Sequence, residues 1–264
     1  MQNTIHDWIM RTPEKYFSPW GIVDKAKKET KELFDATKIF TDNEIKIGCV
    51  ESSYAAGMKY RQEGNLAIAD ILLKDIPLTN ISQRQTAHQE KLAELNYDVE
   101  LELGDVFFAI CCLSNVYDVS SKETYEHLVQ SRKEKSRSKI DSFIAKHIYA
   151  ALPIHFDNAG RSGSDYEDRE YRPNKVLFHR LRNNIEQLEG IVPTDNDVIF
   201  RDHKRDRVII DPTTKKRLMT PIAEIIDNLI DMAHRYDFTL EDAGTAVMEK
   251  NNGRESRGYK KEVK

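Results

Sequence analysis

The chain has 264 residues, room for one large domain or two of ordinary size. Its 40 Lys+Arg against 44 Asp+Glu leave a net charge of −4, which excludes a generally basic nucleic-acid binder and an acidic tail protein. With only 11 Gly and 8 Pro, and much Glu, Lys, Ala, Leu and Ile, the composition predicts an all-α fold.

Apolar residues at helical spacing (Ile22, Val23, Ala26, Leu33, Phe34, Ala36) predict a first helix over 20–38. Asp42 reads as the N-cap of a second helix over 42–62. A short apolar piece, 66–74, follows, ending near Pro77. The strongest pattern is 86–116, which begins polar and becomes almost wholly apolar, so its end must be buried on most sides. Ser120 or Ser121 caps a helix over 122–139 with a basic end. Residues 155–175 are polar and read as a linker between a first module, 1–154, and a second, 176–264. In the second half a helix is expected over 176–188. The β-branched runs Val198–Phe200 and Val208–Ile210 around a polar turn predict a small β-hairpin. Pro221 opens a helix over 222–236, and Thr239 caps a last one over 240–252.

Cys49, Cys111 and Cys112 form neither a disulfide framework nor a zinc spacing and read as buried, reduced thiols. The densest apolar run, 106–113, is far short of the roughly 20 residues that cross a bilayer. No signal-peptide core opens the chain. A cytoplasmic protein without membrane partners is expected.

The two halves echo each other. Tyr117-Asp118-Val119-Ser120 and Tyr236-Asp237-Phe238-Thr239 each end one helix and start another with a basic end. Such repetition suggests two copies of one packing unit that cover each other's apolar faces.

Two acidic pairs carry the chemistry. Glu29 and Glu32 share one helix face, as do Glu102 and Asp105, which abut the apolar run. Like charges repel more strongly where solvent screening drops. Four carboxylates converging there would need a cation, and a hard ion such as Mg2+ takes carboxylate oxygens, water and substrate phosphates. The plainer reading of Glu29 and Glu32 is a solvated helix face. Lys25 lies one turn before Glu29, and Lys133 and Arg137 lie four apart; they suit either a helix C-terminus or a phosphate clamp. The basic run 132–139 has no interleaved aromatics, which argues against nucleic acid.

Trp20-Gly21-Ile22-Val23-Asp24-Lys25 leading to Glu29-x-x-Glu32, with Glu102-Leu103-Gly104-Asp105-Val106-Phe107-Phe108, resembles the MazG-like all-α NTP pyrophosphohydrolase superfamily, which includes dimeric dUTPases and dCTP pyrophosphatases. Lys133 and Arg137 fall on that family's phosphate contacts. The segment Leu240-Glu241-Asp242-Ala243 through Met248, Asn251, Arg254 and Arg257 is similar to its C-terminal helix.

The resemblance implies tandem four-helix modules packed as a pseudo-dimer within one chain, with further homo-oligomerisation left open. It implies hydrolysis of an NTP or dNTP to the monophosphate and pyrophosphate, with Glu29, Glu32, Glu102 and Asp105 as catalytic ligands of Mg2+, or of Mn2+ in its place. Lys25, Lys133, Arg137, Asn251 and Arg254 would bind substrate. Three departures stand out. Lys28 replaces the first Glu of the family's Glu-Glu-x-x-Glu, the 35–89 connection is long, and the second module's Glu224-x-x-Asp227 is one turn out of register. A nucleotide-binding or sensing protein without turnover, and a helical interaction protein, are the competing readings.

Overall fold

The computed structural model describes residues 2, 4, 18–74, 76, 81–147, 174–192, 201–202, 207–208 and 212–256, with the backbone alone described within 135–147, 201–202, 207–208 and 254–256. Among the residues from 18 onward it is built of helices: α1 (Pro19–Gln62), α2 (Leu66–Leu73), α3 (Ile81–Val116), α4 (Ser121–His147), α5 (Asn174–Glu189), α6 (Pro212–Arg235) and α7 (Leu240–Ser256). None of these is long and apolar enough to cross a membrane.

Helix α1 opens where Ser18 Oγ accepts the Gly21 N–H and Pro19 occupies the first turn, which has no intrahelical acceptor for its N–H groups. Its buried residues Ile22, Val23, Ala26, Glu29, Leu33 and Thr37 form one seam at three- and four-residue steps. The expected break at Asp42 does not occur: no Gly or Pro lies between Gly21 and Gly48, so the helix runs on to Gln62 and Asp42 caps nothing. Helix α2 folds back on α1 at Gly57, where a Cβ would meet Leu73 Cγ at 2.6 Å. The long 35–89 connection is therefore a helical arm made from the distal half of α1, α2 and the start of α3. The arm leaves Ile45, Leu66 and Ile71 exposed.

Helix α3 packs along α1 and carries the apolar run, where Leu103, Val106, Ile110 and Leu113 are buried. Each fully buried aliphatic side chain of this kind contributes about 1.5–3 kcal/mol. Cys111 and Cys112 lie buried in this run, as expected, but Cys49 is exposed on α1. Burial pushes the Cys112 thiol up to about 12.

Pro221 does not open a helix either. The buried seam of α6 (Leu218, Ile222, Ile225, Leu229, Met232) already runs upstream of it, and Pro212 takes the first helical position. Pro221 is an interior proline that forfeits one backbone hydrogen bond. The expected linker lies outside the described residues except for its last positions, which belong to α5. Of the expected hairpin, the described residues show only a two-residue antiparallel pairing, Arg201 with Val208 and Asp202 with Arg207; 198–200 and 209–210 lie outside them.

Helices α3 and α6 end alike. The Val119 N–H bonds to Ser114 O and the Asp118 N–H to Asn115 O; Phe238 bonds to Ala233 and Asp237 to His234 in the same way. These are two Schellman turns, each with an Asp where Gly is usual, at φ 51° for Asp118 and 61° for Asp237. Ser120 then caps α4 through the Glu123 N–H. Thr239 caps α7 by a reciprocal pair with Asp242, whose side chain accepts the Thr239 N–H at 3.0 Å while Thr239 Oγ1 accepts the Asp242 N–H.

The terminal helices cross over: α4 packs on α6, and α7 packs on α3. One hydrophobic cluster joins both halves, from Ile22 and Leu103 to Leu181, Leu229 and Val247.

Candidate functional site

Helices α1 and α3 run antiparallel, so the Glu29-x-x-Glu32 face of one meets the Glu102 face of the other. Glu29, Glu32 and Glu102 each offer a carboxylate oxygen within 4.8 Å of the others, the one such metal-competent group among the described residues. Residues 70 or more positions apart in sequence thus converge because three-residue spacing keeps Glu29 in the α1 seam and Glu32 at its edge.

Lysines occupy most of these acids. Lys25 Nζ donates to Glu29 at 2.7 Å and Lys28 Nζ lies 3.2 Å from Glu32. Glu102 has no lysine of its own, and its Oε2 is buried without a hydrogen-bond partner. Burial, more than the adjoining charges of Asp105, Glu32 and Glu29, raises its pKa against the pull of Lys250. Glu32 goes the other way. Burial is the largest single influence on it and opposes ionisation, but hydrogen bonds with Lys28 and Glu29 and the charges of Lys28 and Lys25 together outweigh that and lower it. Two adjacent carboxyls are thereby pushed apart in acidity.

Asp105, expected as a fourth ligand, is not in the trio. It is buried one turn further along α3, and Lys250 Nζ of α7 donates to its Oδ2 at 2.7 Å. The close crossing of α7 over α3 depends on Gly104, where a Cβ would sit 2.2 Å from Ala243 O and 2.6 Å from Val247 Cγ2.

The remaining expected residues are less closely gathered. Lys25 stands at the trio through Glu29. Lys133 is half-buried on α4, which packs on α6, and it makes no ion pair among the described residues. Its neighbour Arg132 instead bonds Glu224 Oε2 at 2.9 Å and Asp227 Oδ2 at 2.7 Å. The side chains of Arg137 and Arg254 lie outside the described residues. Asn251, half-buried on α7, is next to Lys250.

In the second half no acidic trio forms among the described residues. Glu224 and Asp227 are bridged by Arg132, Glu186 pairs with Arg182, and Glu189 with Lys27. Lys250 and Arg132 are the two cations that motif reading passed over. The paired turns could have found them: Asp118 and Asp237 stand 119 residues apart, and the same shift takes Asp105 to Glu224 and Arg132 to Asn251, beside Lys250.

A cavity of about 280 Å3 adjoins the trio between α1 and α3, lined by Glu32, Asp35, Ala36, Ile39, Leu95, Asp98 and Glu102. Comparison with protein-family models, with curated proteins and with solved structures finds no match for the chain.

Proposed function

We propose that the chain is a Mg2+-dependent nucleoside triphosphate pyrophosphohydrolase. The observation that carries this reading is the convergence of Glu29, Glu32 and Glu102 from two helices, with one buried Glu102 oxygen left without a partner. An orphaned carboxylate oxygen in an oxygen-only donor set fits a hard divalent ion, which Glu29, Glu32 and Glu102 would hold, with Asp105 one turn away. The chemistry Mg2+ supplies when bound is neutralisation of phosphate charge and acidification of a water.

The protein's own groups do the rest. Lys25, Lys28 and Lys250, which neutralise the acids in this structure, would turn to phosphate oxygens when substrate binds. Lys133, Arg137 and Arg254 extend the basic set, and the neutral amide of Asn251 joins them in binding substrate, in the reading that the family resemblance implies. A carboxylate of the trio orients the attacking water and takes its proton. The water oxygen bonds the α-phosphorus, the bridging Pα–O bond breaks, and pyrophosphate leaves with that electron pair. Paired Schellman turns and crossed terminal helices support the further reading that the halves are tandem modules forming a pseudo-dimer, the second of them without an acidic trio among its described residues.

Product analysis tests this. Incubation of a nucleotide panel with Mg2+ gives monophosphate and pyrophosphate in equal amounts, and Glu102→Gln abolishes both. Diphosphate plus orthophosphate, or wild-type turnover in Glu102→Gln, contradicts it. The second reading, a nucleotide sensor without turnover, draws on Lys28, whose ion pair with Glu32 stands where the resembled family has a further acid. It is distinguished by binding without release.

A further inference from the structure

Resting on the function proposed above, we infer that the cavity beside the trio receives a base with an exocyclic amino group, and that Asp35 and Asp98 turn away uracil and thymine. The cavity extends from the catalytic acids along both helices at once. On α1 the lining steps from Glu32 to Asp35, Ala36 and Ile39; on α3 it steps back from Glu102 to Asp98 and Leu95. Each step of four residues is about 6 Å of helix rise. A nucleotide with its phosphates at the trio therefore has its base directed along this groove toward the arm.

Ala36, Ile39 and Leu95 give the groove an apolar surface suited to the face of a flat ring. Leu95 is buried, whereas Ile39 is 51 % exposed, an apolar side chain that a bound ring would cover. Asp35 and Asp98 supply the polar groups, one from each wall. Unlike Glu29, Glu32 and Asp105, neither forms an ion pair or hydrogen bond among the described residues.

An ionised carboxylate accepts hydrogen bonds and donates none. Cytosine and adenine present an amino donor at their pairing edge and guanine carries one at N2, whereas the O4 of uracil or thymine is an acceptor. Two carboxylates facing that edge favour the amino bases and repel O4. Charged hydrogen bonds at a partly solvated groove give a discrimination of about tenfold.

The cleanest comparison uses the α,β-imido analogues of dCTP and dUTP, which resist hydrolysis and differ in the base only at its N3–C4 edge. With Mg2+ present, titration calorimetry of the full chain should show the cytosine analogue binding about tenfold more tightly. In the Asp35→Asn/Asp98→Asn double variant, where an amide can turn its NH2 to O4, the ratio should fall to within about twofold. Both aspartates are exposed, so the variant retains the wild-type fold by circular dichroism. Equal affinity for the two analogues in the wild type, or an unchanged ratio in the double variant, overturns the base assignment. Pyrophosphate release from dCTP is read separately. Preferential binding without release removes the hydrolase and keeps the amino-base groove; release from dCTP and dUTP at equal kcat/KM keeps the hydrolase and removes the groove's selectivity.

Discussion

Lys250 Nζ donates to Asp105 Oδ2 at 2.7 Å across 145 residues of chain, so the last helix reaches the acidic wall that the first two long helices build. Both side chains are mostly shielded from solvent. Removing the ammonium leaves a buried carboxylate short of its charged partner, at a cost of about 2 kcal/mol. Lys250→Met should lower Tm by roughly 4–8 °C. If Lys250 also serves phosphate, the KM for nucleotide should rise together with that loss; an unchanged KM would make Lys250 a structural tie alone.

Gly104 sets the distance between those helices. Gly104→Ala places a Cβ against the Ala243 carbonyl, a backbone atom that cannot rotate away. Overpacking of this kind costs about 1–3 kcal/mol and moves α7 off α3, carrying Lys250 from Asp105. Thermal melting and nucleotide turnover should therefore fall together, with more loss of activity than Lys250→Met causes.

Glu102 makes stability fall as pH rises. Its pKa is raised in the folded protein, chiefly by burial, so between the unfolded and folded values the native state binds more protons than the unfolded chain. The Glu102 contribution therefore turns unfavourable as pH climbs from the ordinary carboxylate value through the raised one. Metal-free Glu102→Gln should be more stable than wild type at pH 7, with the difference vanishing near pH 4. Adding Mg2+ should raise the wild-type Tm and leave that of Glu102→Gln nearly unmoved. Parallel melting curves of the two proteins across pH would contradict this.

Asp118 and Asp237 each hold a left-handed conformation that glycine adopts without strain. Asp237→Gly should stabilise the fold by about 0.5–1 kcal/mol, read as a higher urea midpoint at constant slope. Asp118→Gly should gain less, because it also gives up the exposed contact with Lys215 at 3.1 Å.

How far the sequence discloses this molecule depends on what each residue answers to. Periodicity is local, so the seams of α1 (Ile22, Val23, Ala26, Leu33) and α3 (Leu103 to Leu113) are legible, and so are the caps at Ser120 and Thr239. Asp42 misleads because no Gly or Pro between Gly21 and Gly48 breaks the helix there, and Pro221 because a proline marks a boundary only where the apolar seam also stops, which it does not. Glu29 and Glu32 meet Glu102 as their spacing and flanking pattern suggest. The pairing of Asp105 with Lys250, and of Arg132 with Glu224 and Asp227, is set by how the terminal helices cross. No short motif encodes that crossing; it follows from Gly104 against Ala243 and from two like turns 119 residues apart.

In the proposed function, Glu29, Glu32 and Glu102 hold a divalent ion against nucleotide phosphates. Anomalous diffraction from crystals grown with Mn2+ and α,β-imido-dCTP addresses it directly. The expected result is a Mn2+ peak within about 2.0–2.6 Å of oxygens from all three glutamates, with phosphate oxygens completing its shell and Lys25 and Lys28 drawn away from their acids. A trio still closed by its lysines, with the ion absent or bound elsewhere, would contradict the account.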